Sequence, residues 1–181
     1  LADIYMSGVV NASGVDATLN VTSANAIYFN GGASFSSAVG KYNLNFTAAG
    51  AAPSGLISLA NGNVSINANG GTINMIANSM VFVPSSGVNT NSIQSVGGYL
   101  NIQPFNTGTT IGLGASTTGM LRIPTVAWDG STTGAAPTTA NIGNAVFKPG
   151  FSMVTVGSAA QTGYLYVNQV NTDYLVLTSP L

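Results

Sequence analysis

Apolar and polar residues alternate with a period of two in short segments along most of the chain. Such alternation is typical of β-strands that bury one face. The pattern predicts strands at 17–21, 42–46, 64–66, 73–75, 99–102, 120–123, 154–156, 164–167 and 175–177. No window sustains the spacing of an amphipathic helix, and 23 Gly and 7 Pro interrupt the candidates. The pattern therefore predicts an all-β fold.

Gly-rich and Asn-rich segments separate the strands, as at 30–32, 61–63 and 69–71. These residues suit tight corners, because Gly adopts positive φ and Asn bonds to nearby backbone. Such spacing is shared by sandwiches, barrels and β-solenoids. A recurrence favours the solenoid: Leu44 to Val64, Ile102 to Ile123 and Val154 to Leu175 are each separated by about 20–21 residues, one expected solenoid turn.

The sequence therefore predicts a parallel β-helix with about 20–21 residues per turn. We expect residues 1–181 to form a single β-solenoid segment of a longer polypeptide or fibre. Stacked turns would bury Val, Ile, Leu and Phe inside and would place like residues above one another. Asn and Thr could then form hydrogen-bonded ladders, whereas stacked like charges would repel.

One stretch, 125–149, interrupts the alternation. It contains Trp128, Asp129 and Pro137, and it ends with Lys148 and Pro149. We interpret it as a loop excursion from the solenoid, with one short strand near 145–147.

Charge is scarce: three Lys or Arg and four Asp or Glu give a net charge of -1, with no His and no Cys. Three scattered cations argue against nucleic acid as a partner. Apolar runs of about four residues are too short for the roughly 20 that a membrane-spanning helix needs. The composition also lacks most side chains used for catalysis or metal binding, so we expect no enzyme activity, cofactor or metal site.

The carboxylates are Asp3, Asp16, Asp129 and Asp173. Asp3 with Asp16, or Asp129 with Asp173, could meet on adjacent turns as a glycosidase pair, but turn formation is the favoured interpretation. Aromatic residues offer a second candidate site. Tyr164 and Tyr166 share one strand face and, with Trp128, could form a platform for sugar rings. Packing in the core or on the rod surface is the favoured alternative for these rings.

Three phrases are similar to a known family: Gly98-Tyr-Leu-Asn-Ile-Gln-Pro-Phe-Asn-Thr-Gly-Thr-Thr-Ile-Gly-Leu-Gly114, Thr118-Gly-Met-Leu-Arg-Ile123, and Lys148-Pro-Gly-Phe-Ser152 followed by Val154-Thr-Val-Gly157. In this order they resemble the repeats of large secreted exoproteins of the filamentous haemagglutinin type. The segments 4–8 and 26–31 look like turns of those repeats. The resemblance implies a right-handed β-helix, two-partner secretion across a bacterial outer membrane, and an adhesin or stalk at the cell surface.

The leading hypothesis is a structural or adhesive segment of a secreted bacterial surface filament. The alternative is a self-assembling extracellular fibre subunit that stacks end to end, because β-helix ends carry unpaired backbone groups. Binding of ice or glycans ranks lower, and an enzyme ranks last. The expected partners are the chain itself and cell-surface glycans or other surfaces.

Overall fold

The computed structural model describes residues 2–51, 54–83, 89–115, 118–130, 144–168, 170 and 175–178. Almost all regular structure in these residues is β-strand. The strands are β1 (Ile4–Met6), β2 (Val9–Ala12), β3 (Ala17–Ser23), β4 (Ala26–Phe29), β5 (Ser34–Ser37), β6 (Tyr42–Ala48), β7 (Leu56–Ser58), β8 (Ser65–Asn67), β9 (Thr72–Ala77), β10 (Ser79–Val81), β11 (Ser92–Gln94), β12 (Tyr99–Gln103), β13 (Ile111–Gly114), β14 (Leu121–Pro124), β15 (Met153–Gly157), β16 (Leu165–Asn168) and β17 (Leu175–Thr178). One short helix, α1, spans Thr125–Asp129.

The strands wind as a parallel β-solenoid in which three consecutive strands complete one turn. The first sheet has the order β1-β4-β7-β10, the second β2-β5-β8-β11, and the third β3-β6-β9-β12-β15-β17. A fourth sheet has the order β14-β13-β16, and β14 contacts β10. All pairings between these strands are parallel. The predicted parallel β-solenoid is confirmed, and each predicted segment overlaps or adjoins a strand.

The predicted length of a turn is correct in only one of the three intervals. Val154 pairs with Leu175, as the sequence interval suggests. Leu44 instead pairs with Ile73, which lies further along the chain than Val64. Val64 directly precedes β8 of the second sheet, which is a different side of the coil. A sequence interval cannot separate the two cases, because strands on every side share the same alternation.

The third interval, Ile102 to Ile123, also joins two different sheets. Ile102 pairs with Met75 on one side and Val156 on the other, whereas Ile123 pairs with Leu113. In the first three sheets, most turns measured between paired residues are longer than predicted. Corners of variable length between the strands account for the difference.

The core lies inside the coil, where alternate side chains of each strand point. Three phenylalanines of one turn, Phe29, Phe35 and Phe46, come from the first, second and third sheets and meet there. Their ring centroids are 5.0–5.7 Å apart, with interplanar angles of 73–82°. Edge-to-face packing suits the ring quadrupoles, and burial of each side chain contributes about 1.5–3 kcal/mol.

The regular winding changes after β12. Leu100 pairs with Ile73 on one side and with Val154 on the other, and the chain between Leu100 and Val154 is much longer than the chain between Ile73 and Leu100. Within the longer interval β13 leaves sequence order and lies between β14 and β16. The Met120 and Leu121 N–H groups both donate to the Thr110 carbonyl at 3.0 Å, which brings the chain back to the start of β13.

The predicted loop excursion at 125–149 contains a helix that the sequence did not indicate. Helix α1 begins after Pro124 and is capped by Gly130, whose left-handed φ of 72° lets its N–H reach the Val126 carbonyl at 3.2 Å. Residues 131–143, including Pro137, lie outside the described residues. The strand expected near 145–147 is reduced to a single parallel bridge between Phe147 and Ile93.

Candidate functional surface

The aspartates of the first turn form corners and do not make a catalytic pair across adjacent turns. The Asp3 carboxylate accepts the Asn25 side-chain N–H at 2.5 Å and the Ala26 N–H at 3.3 Å. The Asp16 carboxylate accepts the Lys41 N–H at 2.8 Å. Each aspartate precedes a different strand of the same turn, β1 or β3, so the expectation that they could lie on adjacent turns is wrong. Each joins its corner to the next turn.

The second suggested carboxylate pair falls outside what can be described. Asp129 is the last residue of α1, with its side chain outside the description, and Asp173 lies outside the described residues. In the part of the chain that the structure describes, no three His, Cys, Asp or Glu side chains come together in a way that could hold a metal ion.

Trp128 is part of the core, so its predicted place on a surface platform is wrong. Only 6% of the residue is exposed, and its ring packs against Phe147 with centroids 4.8 Å apart. Its indole N–H points to the Ile123 carbonyl at 3.4 Å. Of the packing alternatives that the sequence favoured, core or rod surface, the core holds for this residue because α1 turns the side chain inward.

Tyr164 and Tyr166 lie on the outer surface, as the platform requires. They are 74% and 38% exposed, and their ring centroids are 6.2 Å apart at an angle of 52°. Tyr166 is in register with Gly112 of β13 and, one strand further, with Arg122 of β14. The two rings are neighbours but are tilted, so they do not form one flat plane.

A second aromatic pair, Tyr5 and Tyr28, is missing from the sequence-based expectations. The two residues are in register on β1 and β4, and their rings stack with centroids 5.1 Å apart at 15°. Tyr5 is 64% exposed. The dipeptide Ile-Tyr, which occurs at Ile4-Tyr5 and again at Ile27-Tyr28, is the available signal in the sequence.

The outward side of the third sheet carries a continuous column of amides, which we call the asparagine ladder: Asn20, Asn45, Asn74 and Asn101. The Nδ2 group of each later residue donates to Oδ1 of the residue one turn before it, at 2.7, 2.6 and 2.8 Å. The composition predicts ladders of this kind. Only the register of the strands identifies which asparagines take part.

Burial shifts the pKa values of two side chains, Tyr42 of β6 and Lys148. Desolvation raises the pKa of the Tyr42 hydroxyl, since the side chain lies in the core and the charged phenolate would lose its hydration. Desolvation lowers the pKa of the Lys148 amine for the same reason, acting on a group that is charged when protonated.

The molecule thus belongs to the parallel β-solenoids, with outer faces made of short polar side chains and a few tyrosines. Comparisons with protein-family models, with curated proteins and with solved structures found no match. Across the described ranges, no helix has the length and apolar character needed to cross a membrane.

Proposed function

We propose that this chain is a structural and adhesive segment of a secreted bacterial surface filament. One observation carries the proposal: each turn of the solenoid covers the turn before it, so that like residues stack inside and outside. The interior column Leu44, Ile73 and Leu100 and the exterior asparagine ladder both follow this rule. Such stacking makes a stiff scaffold with long, uniform faces, which suits work done by shape and surface contact.

The phrases at 98–114, 118–123 and 148–157, which resemble filamentous haemagglutinin-type repeats, support the location in this proposal. They favour export by a two-partner route and an extracellular place at the bacterial surface. A chain with so few charged residues also suits a stacked coil, because charges of one sign at the same position of successive turns would repel. The proposal includes no catalytic step and no cofactor.

Surface labelling and adhesion test the proposal. Antibodies raised against the purified chain should label intact cells of the producing bacterium, and external protease should remove the label. Beads coated with the folded chain should adhere to host-type cells better than beads coated with the heat-denatured chain. Labelling that requires permeabilised cells, or equal adhesion of both bead types, would contradict the proposal.

A second candidate function, a fibre subunit that stacks end to end, is favoured by two residues at the ends of interior columns. Val10 is in register with the buried Phe35 yet is 37% exposed, and Val167 is in register with the buried Leu113 yet is 50% exposed. Strands β1, β2 and β3 are also sheet edges, with backbone groups available for pairing. Contact with a second copy would cover these groups.

Light scattering over a range of concentrations separates this candidate from a monomeric segment. End-to-end stacking predicts growth in mass that Val10→Lys abolishes. Val15→Lys is the matched control, because Val15 is 86% exposed at a corner and belongs to no interior column. A constant monomer mass at every concentration would exclude the fibre subunit.

A further inference from the structure

The outward side of the third sheet, which we call the ladder face, is a regular polar surface centred on the asparagine ladder. Adjacent strands lie about 4.8 Å apart, and outward residues two positions apart along a strand lie about 6.6 Å apart. On one side of the ladder lies the column Thr22, Thr47, Ile76 and Gln103, which is polar except for Ile76, and Thr155 of β15 continues the ladder's own column. The face therefore presents mostly polar groups on a repeating two-dimensional grid, with Ile76 and Met153 as apolar exceptions.

The amides of the ladder retain hydrogen-bonding capacity that the protein does not use. An Asn amide has two N–H donors and two acceptor lone pairs. Asn45 and Asn74 each use one N–H and one oxygen lone pair within the ladder, and no other side-chain bond is formed by either amide in the described part of the chain. One donor and one acceptor per turn thus remain for a ligand, already held in position by the neighbouring amides.

The ladder face carries no charge. Every outward residue of β3, β6, β9, β12 and β15 is uncharged, and Lys41 and Asp16 lie at the corners before β6 and β3. A charged ligand would lose its hydration without meeting an opposite charge, whereas a neutral ligand rich in hydroxyl groups loses little. Tyr99, 44% exposed at one border, adds an aromatic face of the kind that packs against sugar rings.

The size of the ladder face argues against a folded protein as its ligand. Five strands at about 4.8 Å span about 19 Å, and three outward residues along each strand span about 13 Å, so the face covers a few hundred Å². A stable protein–protein contact of standard size uses about 800 Å² on each partner. A single extended polymer chain, which needs contact only along the ladder, suits a face of this size better.

We propose that the ladder face binds an extended neutral polysaccharide, whose chain lies along the asparagine ladder and crosses the strands. Successive hydroxyl groups of the sugar bond to the unused amide donors and acceptors of successive turns. The affinity comes from repetition, since each bond is weak but the amides are fixed one turn apart. The inference rests on the proposed adhesive function and names the class of ligand for one face of the segment.

Retention on insoluble polysaccharide tests the inference with the full chain. The unmodified protein should be retained by microcrystalline cellulose or chitin and much less by the acidic polymer polygalacturonate. Asn45→Ala combined with Asn74→Ala should weaken binding by about tenfold, since two turns lose their amide contacts. The matched control is Asn11→Ala with Ser36→Ala, which removes a similar exposed bond between turns, 2.6 Å long, from the outward side of the second sheet.

A second pair of variants guards against simple misfolding. Thr47→Lys adds bulk and charge to the ladder face while every ladder amide remains, and Ser36→Lys makes the same change on the second sheet. Only Thr47→Lys should lose retention, with circular dichroism unchanged in both. The inference is overturned if the unmodified chain is not retained, if both sheets respond equally, or if the ladder variants abolish only self-association or only thermal hysteresis in ice. Failure of retention with normal bead adhesion would overturn this inference alone and leave the proposed function standing.

Discussion

Replacement of Asn91 by Ala should destabilise the fold strongly, because this buried amide satisfies three backbone groups at a corner. Asn91 is 1% exposed. Its Oδ1 accepts the Val64 N–H at 3.0 Å, and its Nδ2 donates to the carbonyls of Leu59 and Phe82, both at 2.8 Å. The amide therefore ties the corner between the first and second sheets of one turn to the same corner of the next.

The magnitude follows from which of these groups would lose its partner. The Leu59 carbonyl keeps a second donor, the Gly62 N–H at 3.2 Å, so the loss falls mainly on the Val64 N–H and the Phe82 carbonyl. A buried backbone group without a partner costs about 1–3 kcal/mol, so for two such groups we expect a loss of about 2–6 kcal/mol. Such a loss is a large fraction of the roughly 5–15 kcal/mol that stabilises a typical domain.

Urea unfolding followed by circular dichroism measures the effect, with Asn45→Ala as the control. Asn45 makes two side-chain bonds, as part of the asparagine ladder, but lies on the outside, where water replaces a lost partner. Its replacement should cost about 1 kcal/mol or less. Asn91→Asp retains the acceptor for Val64 but replaces both donated N–H groups with an oxygen that faces carbonyls, so it should destabilise at least as much as Asn91→Ala. Equal stability of the Asn91 and Asn45 variants, or a stable Asn91→Asp protein at neutral pH, would refute the reasoning.

Three further predictions concern the core and the surface. Because burial raises the pKa of Tyr42, the unfolded state loses this proton first as pH rises above about 10, so the stability of the fold decreases there. Tyr42→Phe should reduce this alkaline loss of stability in thermal melts from about pH 9 to 11. An unchanged dependence of Tm on pH would contradict the prediction. Phe35→Ala should cost about 3–5 kcal/mol in urea unfolding because it empties the centre of the aromatic cluster, and a cost below about 1 kcal/mol would show that the cluster is not packed as described. Trp128→Ala should lower Tm by several degrees, whereas Tyr164→Ala should leave Tm within about 1–2 °C of the unmodified value. The reverse order would contradict the burial of Trp128.

The alternation of side chains is sufficient to predict most strands and the fold class, because a strand of a solenoid must bury every second residue whatever its neighbours are. Short strands are harder to predict in this way, because they contain too few residues to show the alternation. Strand β4, with Ala26 and Ile27 both buried, has no clean alternation, and β7 and β10 have three residues each. The Asn-Gly corners are readable for a local reason: Asn63 and Asn69 adopt positive φ of 54° and 46°, as only a few residue types readily do.

The candidate sites divide along the same line. Exposure of Tyr164 and Tyr166 follows from alternation along one strand. Burial of Trp128 does not, because it depends on a short helix and on packing against Phe147, which lies further along the chain. The stacked pair Tyr5 and Tyr28 depends on the register between β1 and β4, whose interval along the chain is not the one that the sequence suggested.

Residue types and their local order are enough to establish a nearly uncharged, corner-rich β protein with a repeating interior, since these properties need no knowledge of distant contacts. Only the folded chain determines which residues stack on one another. Corner length varies from turn to turn, and the register of each strand is set by its pairing with the strand of the previous turn. That register places β13 out of chain order between β14 and β16. It also aligns four distant asparagines into one ladder, since hydrogen bonds across turns join residues 25, 29 and 27 positions apart.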